Sequence, residues 1–309
     1  KRVDAVDKVS FSVGVGETLA LVGESGAGKS LTAMALMRLH KAQFMDVVAD
    51  RIDLEGRDIA RMNDREIRQI RGSTIAMIFQ DPLSALNPVL TVERQLVESI
   101  LLHNRFSRFQ ARQRALELLD MVRIPAAKSR LGEYSHRLSG GMRQRVMIAM
   151  ALAGNPKLIL ADEPTTALDV TISAQILDLL RELQDDLGVG MLFITHDLHA
   201  VRTVAHRVAV MYSGRIVETG EVGKVFSAPS HPYTEGLLAA RPHGSFVDGG
   251  HRLREIPGTV PAPADRPAGC AFAPRCGRRT SECEVRLPPL QFRGQTGYAC
   301  FHPLEGVPA

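Results

Sequence analysis

The stretch "GESGAGKS", Gly23 to Ser30, constrains this chain more than any other eight residues in it. It matches G-x-x-x-x-G-K-S/T in full. It follows the apolar run "ETLALV" and precedes the helical text "LTAMALMRL". A glycine loop between a buried strand and a helix can turn its backbone N–H groups onto an anion at the helix N-terminus. Gly23, Glu24, Ser25, Gly26, Ala27 and Gly28 form the wall of such a cradle, and Lys29, Ser30 and Leu31 open the helix. Lys29 can reach the β- and γ-phosphates of a nucleotide, and Ser30 can ligate Mg²⁺. The bland alternative is a glycine-rich turn with a chance lysine, and it does not account for the strand and helix on either side.

The second half of a nucleotide site is expected at "LILADEP". Asp162 ends an apolar, buried strand, where a carboxylate is costly unless it is paired or near a metal. It is assigned to the Mg²⁺ shell. Glu163 follows directly, so its side chain points elsewhere and can take a proton from an attacking water. Two further polar residues end apolar runs: Gln80 after "STIAMIF" and His196 after "MLFIT". Alone, each is an ordinary strand-end residue. If these strands are parallel, their C-terminal ends converge on the phosphate loop. Gln80 then senses Mg²⁺ and water, and His196 bonds the γ-phosphate.

Periodicity supplies the surroundings. "VSFSVG" alternates and reads as a strand, "RIDLEGRDI" as a short hairpin, and "RVAVMYSGRIVETG" as a hairpin turning at Ser213-Gly214. "KLILADE" and "MLFITHD" are apolar enough to be parallel strands covered on both faces. Between them "SAQILDLLRELQDDLG" reads as a helix, and residues 83–155 read as mostly helical, ending at Gly154-Asn155-Pro156. The 309 residues are 45% hydrophobic, enough for a substantial core. The longest apolar run, "VMIAMALA", is far short of a membrane span. The net charge of +4 comes from scattered basic residues, with aromatics at 5%, which gives no support to a nucleic-acid role. The chain starts at Lys1 in strand-like text, so residues preceding it are expected.

A second anion cradle is written at "LSGGMRQR", Leu138 to Arg145. Ser139 is a good N-cap, and Gly140 and Gly141 expose amides at the start of a helix. Taken alone, this is equally well a plain capped helix.

In order and interval, "GESGAGKS", Gln80, "LSGGMRQR", "LILADEP", "TALD" and "ITHD" resemble the nucleotide-binding subunits of ABC transporters. The resemblance covers residues 1–227. It implies an α/β P-loop NTPase (RecA-like) core with an antiparallel β subdomain and an inserted helical subdomain at about 83–156. It also implies head-to-tail pairing, in which Ser139, Gly140 and Gly141 close on the ATP held by a partner's phosphate loop. Asp169 of "TALD" then lies at the dimer seam, Glu163 is the general base and His196 the γ-phosphate switch. The helical region should receive a coupling helix from a membrane subunit. In this family an aromatic residue stacks on adenine, and the interval puts it at or before Lys1, so no residue is assigned.

The composition changes near Ser227. Of the 17 prolines, 12 lie from Pro229 onward, and all four cysteines lie from Cys270 onward. A boundary is placed there, separating an ATPase domain (1–227) from a mostly irregular extension (228–309). "SAPSHPYTEGLLAA", "IPGTVPAP" and the cysteine segment are similar to the C-terminal extension of dipeptide and oligopeptide importer ATPases, as is "FQDPLSALNP" in the body. Cys270, Cys276, Cys283 and Cys300 are separated by 5, 6 and 16 residues. In a cytosolic ATPase a metal staple is favoured over disulfides or four unrelated thiols. Spacing alone leaves zinc and iron–sulfur open; the resemblance favours a 4Fe–4S cluster. His231, His243, His251 and His302 are read as surface or turn residues, and Tyr233 as packing.

The expectation is therefore an ATPase using ATP and Mg²⁺ and powering an importer of di- or oligopeptides. It sits on the cytoplasmic face of the bacterial inner membrane. Its implied partners are a second, non-identical ABC ATPase, two transmembrane permease subunits and, indirectly, an extracytoplasmic substrate-binding protein, with no nucleic acid. Haem or a metal chelate is the alternative cargo. The rivals from other classes are a soluble ABC ATPase of DNA repair or translation and a P-loop kinase. The first should carry long inserts or tandem motor halves, and the second has no use for "LSGGMRQR".

Overall fold

The computed structural model describes residues 3–40, 45–240 and 255–304. His243 and His251 lie outside the described residues. Along the chain run β1 (Thr18–Val22), α1 (Lys29–Leu36), β2 (Asp53–Leu54), β3 (Arg57–Asp58), α2 (Asp64–Ile70) and β4 (Ile75–Ile78). Next come α3 (Pro82–Ala85), α4 (Val92–His103), α5 (Arg108–Met121), α6 (Ala127–Arg130), α7 (Gly140–Leu152) and β5 (Leu158–Asp162). Then follow α8 (Val170–Leu187), β6 (Gly190–Thr195), α9 (Leu198–Val204), β7 (Arg207–Tyr212), β8 (Arg215–Glu221) and α10 (Val222–Ser227). Beyond these lie α11 (Pro232–Ala239), α12 (Ser281–Val285), β9 (Gln291–Arg293) and β10 (Thr296–Tyr298). No described helix is long and apolar enough to cross a membrane.

The chain forms two compact units. The first comprises Lys1–Ser12, Leu19–Leu31 and Thr195–Ala309; the second comprises Val13–Thr18 and Thr32–Ile194. In the second unit β4, β5 and β6 run parallel, with Ile75 opposite Leu158 and Leu158 opposite Gly190. Every residue of β4 and β6 is buried. That burial on both faces is why these strands read as unbroken apolar runs rather than as alternation. Helices α3 to α7 follow one another between β4 and β5. Thr91, Ser107 and Ser139 cap α4, α5 and α7, each accepting a backbone N–H from its helix's first turn. Leu96, Ile100, Ala111, Ala115, Leu118, Leu119 and Ile148 are fully buried among them, each large side chain worth about 1.5–3 kcal/mol of transfer.

In the first unit β1 pairs parallel with β7, and β7 turns back into β8. The hairpin turn is at Ser213 (φ 44) and Gly214 (φ 81), the two left-handed positions a tight hairpin needs. β10 then pairs antiparallel with β8, and β9 with β10. Residues beyond Ser227 thus continue this unit's sheet instead of trailing from it. They also enter its core, where Tyr233, Ala271 and Phe272 pack with Ala20, Val22, Val208, Val210 and Tyr212.

Two sequence expectations change. Residues 9–14 alternate between half-buried and exposed as "VSFSVG" suggests, yet they form no strand. Alternation fixes which side chains face inward, whereas a strand also needs a neighbour's hydrogen-bonding edge. The helix read from Ser173 starts at Val170, because Asp169 caps it by accepting the Ile172 N–H over 2.9 Å.

Candidate functional site

The phosphate loop lies in the first unit, between β1 and α1. All five residues of β1 are buried, so the loop springs from a rigid edge. Gly23 must be glycine: a Cβ there would stand 2.2 Å from the Met211 carbonyl oxygen. Gly28 adopts φ 103, which side chains avoid. Lys29 is 5% exposed. Its Nζ donates to the Gly23 and Glu24 carbonyl oxygens over 2.8 and 3.1 Å. The loop is thus wrapped around its own lysine, which places a fixed positive charge at the helix start. This is the charge and donor pattern that a polyphosphate needs.

Two residues of the C-terminal extension grip this loop, and sequence reasoning missed both roles. Tyr233 is fully buried, and its phenol oxygen accepts the Glu24 backbone N–H over 2.9 Å. Burial pushes its ionisation well above the usual tyrosine range. Arg275 forms a fork with the Glu24 carboxylate, Nη1 to Oε1 at 3.0 Å and Nη2 to Oε2 at 3.1 Å. Burial works against the Arg275 charge, but the hydrogen bonds to Glu24 and Tyr212 overcome it and raise its pKa. Tyr212 stacks edge-on to Tyr233 and Phe272, with centroids 4.6 and 5.3 Å apart. Nothing local marks Arg275, and "HPYT" around Tyr233 marks packing but not the bond to Glu24.

His196 lies in the first unit, exposed on the turn between β6 and α9. Gln80, Ser139 to Gly141, Asp162, Glu163 and Asp169 are in the second. Asp162 ends β5 at 3% exposure. Glu163 follows with φ 46, a left-handed backbone unusual for a residue with a side chain. Its N–H donates to the Ile194 carbonyl over 2.9 Å, which anchors the kink. One carboxylate oxygen, Oε2, accepts from Gln80 Nε2 at 3.0 Å and from Thr166 Oγ1 at 2.9 Å. The structure therefore brings Gln80 and Glu163 together and adds Thr166, which the sequence did not single out. A carboxylate aimed by two donors on a kinked strand end is suited to accept a proton.

Ser139 caps α7 by accepting the Met142 N–H over 3.3 Å. Gly141 has a packing reason to be glycine, since a Cβ there would stand 2.6 Å from Ile172 Cγ2 on α8. Asp169 is exposed and caps α8. Both readings of this region, capped helices and anion cradle, are compatible with this geometry.

Cys270, Cys276, Cys283 and Cys300 line one cavity of about 10 Å³, room for about one water, together with His231, Phe272 and His302. Cys270 N–H donates to the Cys283 carbonyl over 2.8 Å. Burial pushes up the Cys270 and Cys276 thiols, and the Cys300 thiol to about 11. Among the described residues no three of His, Cys, Asp and Glu are arranged to hold a metal ion. Four thiols are donors of the right kind for a metal, but they line a cavity with room for about one water and form no metal-holding group.

Of the surface and turn readings of His231, only the turn one stands, since it caps α11. It is 1% exposed; its Nδ1 accepts the Tyr233 N–H over 3.0 Å and its own N–H goes to the buried Glu218 carboxylate at 2.9 Å. Burial lowers its pKa to about 3. His302 is half-buried, with Nε2 2.9 Å from Thr280 Oγ1.

Two family models match stretches of the chain. Residues 6–166 match the family described as ABC transporter. Residues 217–283 match the oligopeptide/dipeptide transporter C-terminal region. A protein of Brucella abortus (strain 2308) named for peptide import and ATP binding is 51% identical over 298 residues, 96% of this chain and 89% of the relative. One of Brucella melitensis, named likewise, is 50% identical over the same shares. Among solved structures, a dimeric ATP-binding cassette in a post-hydrolysis state bound to ADP and Pi superposes with TM-score 0.63 at 30% identity. It covers 71% of this chain and 90% of that one. The cbiO1 protein of Clostridium perfringens, part of the cbiONQ transporter complex, gives 0.62 at 27%, covering 72% and 84%.

Proposed function

The chain belongs to the ABC transporter family of ATP-binding proteins, and on that premise we propose that it hydrolyses MgATP within a dimer of such subunits to drive uptake of di- and oligopeptides. The observation that carries the peptide reading is the match of residues 217–283 to the oligopeptide/dipeptide transporter C-terminal region, in a chain that also holds a complete phosphate loop. The names of the Brucella relatives support it.

In this reading residues 1–227, with a helical subdomain at about 83–156, are the motor, and residues 228–309 are the extension. Gly23 to Leu31 wrap the triphosphate, and Lys29 offsets its charge. Ser30, Asp162 and Gln80 would hold Mg²⁺, which supplies further charge neutralisation on the phosphates. Glu163, aimed by Gln80 and Thr166, takes the proton of the attacking water. Ser139, Gly140 and Gly141 offer amides to nucleotide held by a second subunit, with Asp169 at the seam and His196 at the γ-phosphate. The dimeric state of the solved relative bound to ADP and Pi supports this division of labour. The work is done with two membrane permease subunits, a paralogous ATPase and an extracytoplasmic binding protein, on the cytoplasmic face of the bacterial inner membrane. Cys270, Cys276, Cys283 and Cys300 are proposed as ligands of a structural 4Fe–4S cluster, with zinc as the alternative; their convergence on one cavity supports a shared metal.

The test is a deletion strain supplied with wild-type or Glu163→Gln protein. Wild type should restore uptake of labelled peptides and Glu163→Gln should not. Normal peptide uptake without the protein, with loss of haem or metal-chelate uptake instead, would assign a different cargo.

A further inference from the structure

We propose that Arg275, in the segment between Cys270 and Cys276, is a positioning residue for nucleotide binding: it cancels the charge of Glu24 and fixes the phosphate loop. The proposal rests on reading "GESGAGKS" as the triphosphate cradle.

Glu24 is the one acidic residue in that cradle. A carboxylate in a loop built to collect an anion opposes the loop's purpose, because its charge repels the phosphates at close quarters. The fold meets this conflict with a residue 251 positions downstream. The Arg275 side chain is 5% exposed and that of Glu24 29%, so solvent screens the pair only in part.

The guanidinium has five N–H donors, and the structure gives five acceptors. Nε donates to the Pro257 carbonyl at 2.7 Å. Nη1 donates to Glu24 Oε1 at 3.0 Å and to the Tyr212 hydroxyl at 3.3 Å. Nη2 donates to Glu24 Oε2 at 3.1 Å and to the Ile256 carbonyl at 3.1 Å. Its plane and its charge are therefore fixed. The Glu24 backbone is held separately, by the Tyr233 hydroxyl. The extension thus fixes both the main chain and the side chain of the loop's second residue. A lysine could supply the charge but not the fork.

The experiment measures MgATP affinity and steady-state ATPase activity on the full chain. Wild type must first bind MgATP; if it does not, the cradle reading fails, not this proposal. In Arg275→Met the lone Glu24 charge should weaken MgATP binding about tenfold at low salt. KM should rise with kcat within about threefold. The loss should shrink as salt screens the exposed carboxylate. Adding Glu24→Gln to Arg275→Met should recover most of the affinity, because the unpaired charge is then gone. Arg275→Lys should fall between wild type and Arg275→Met. If Arg275→Met does not fold, Arg275→Gln makes the same comparison while keeping a donor for the Ile256 and Pro257 carbonyls. Unchanged affinity in the neutral variant overturns the proposal. So does a loss that is insensitive to salt and not recovered by Glu24→Gln, which would reduce Arg275 to a docking contact of the extension.

Discussion

Gln80 donates a hydrogen bond to the Glu163 carboxylate over 3.0 Å, joining residues 83 positions apart at the C-terminal ends of neighbouring parallel strands. Thr166 donates to the same oxygen. The carboxylate is held by side chains from two directions, on a left-handed backbone that a residue with a side chain does not adopt without support.

Glu163→Gln should retain MgATP binding and lower turnover at least 100-fold, the range expected for loss of a general base. Gln80→Ala and Thr166→Val each remove one aiming bond and should lower kcat about tenfold with KM little changed. ATPase assays paired with calorimetric binding check this. Full activity in Glu163→Gln would remove that residue from its role.

Lys29→Ala should weaken MgATP binding about 10–100-fold, the worth of losing charge-assisted hydrogen bonds to phosphate. It also leaves the Gly23 and Glu24 carbonyls without this donor, so the apo protein should melt lower as well. Equal affinity in titrations of wild type and variant would count against the loop as the nucleotide site.

Gly141→Ala should destabilise the fold by about 1–3 kcal/mol through overpacking against Ile172. Gly141→Ala/Ile172→Ala should recover thermal stability, since the offending methyl is removed. If Gly141 also contacts a second subunit's nucleotide, ATPase activity should stay depressed in the double variant. Recovery of turnover together with stability would leave Gly141 only its packing role.

His231 gives a pH dependence with a definite sign. Its folded pKa of about 3 lies below the ordinary 6.5, so the unfolded chain binds a proton between those values and the native chain does not. Its contribution is fully present above about pH 6.5 and falls by about 1.4 kcal/mol per pH unit on acidification, until about pH 3. Burial raises the pKa of Glu218, which acts in the opposite direction, so the effect is read as a difference between proteins. His231→Asn keeps an acceptor for the Tyr233 N–H and cannot take up the proton. Its denaturation curves should therefore depend less steeply on pH, by one proton, between about pH 3 and 6.5. Parallel curves would place His231 outside the acid transition.

The sequence alone determined what local chemistry determines. A glycine loop between a strand and a helix, apolar runs ending on Asp162 and His196, and the serine cap at Ser139 all act within a few residues, so their consequences can be read in order along the chain. The hairpin at Ser213-Gly214 was legible for the same reason. The missing strand at residues 9–14 was not, because pairing depends on a distant edge. Tertiary structure decided the rest. It aimed Glu163 with Gln80 and Thr166, buried His231 against Glu218, and brought Arg275 and Tyr233 of the extension onto the phosphate loop. An arginine in a proline-rich segment looks like any solvated charge until folding lays it against an acid 251 residues away, because hydrogen bonding and desolvation respond to distance in space and not along the chain.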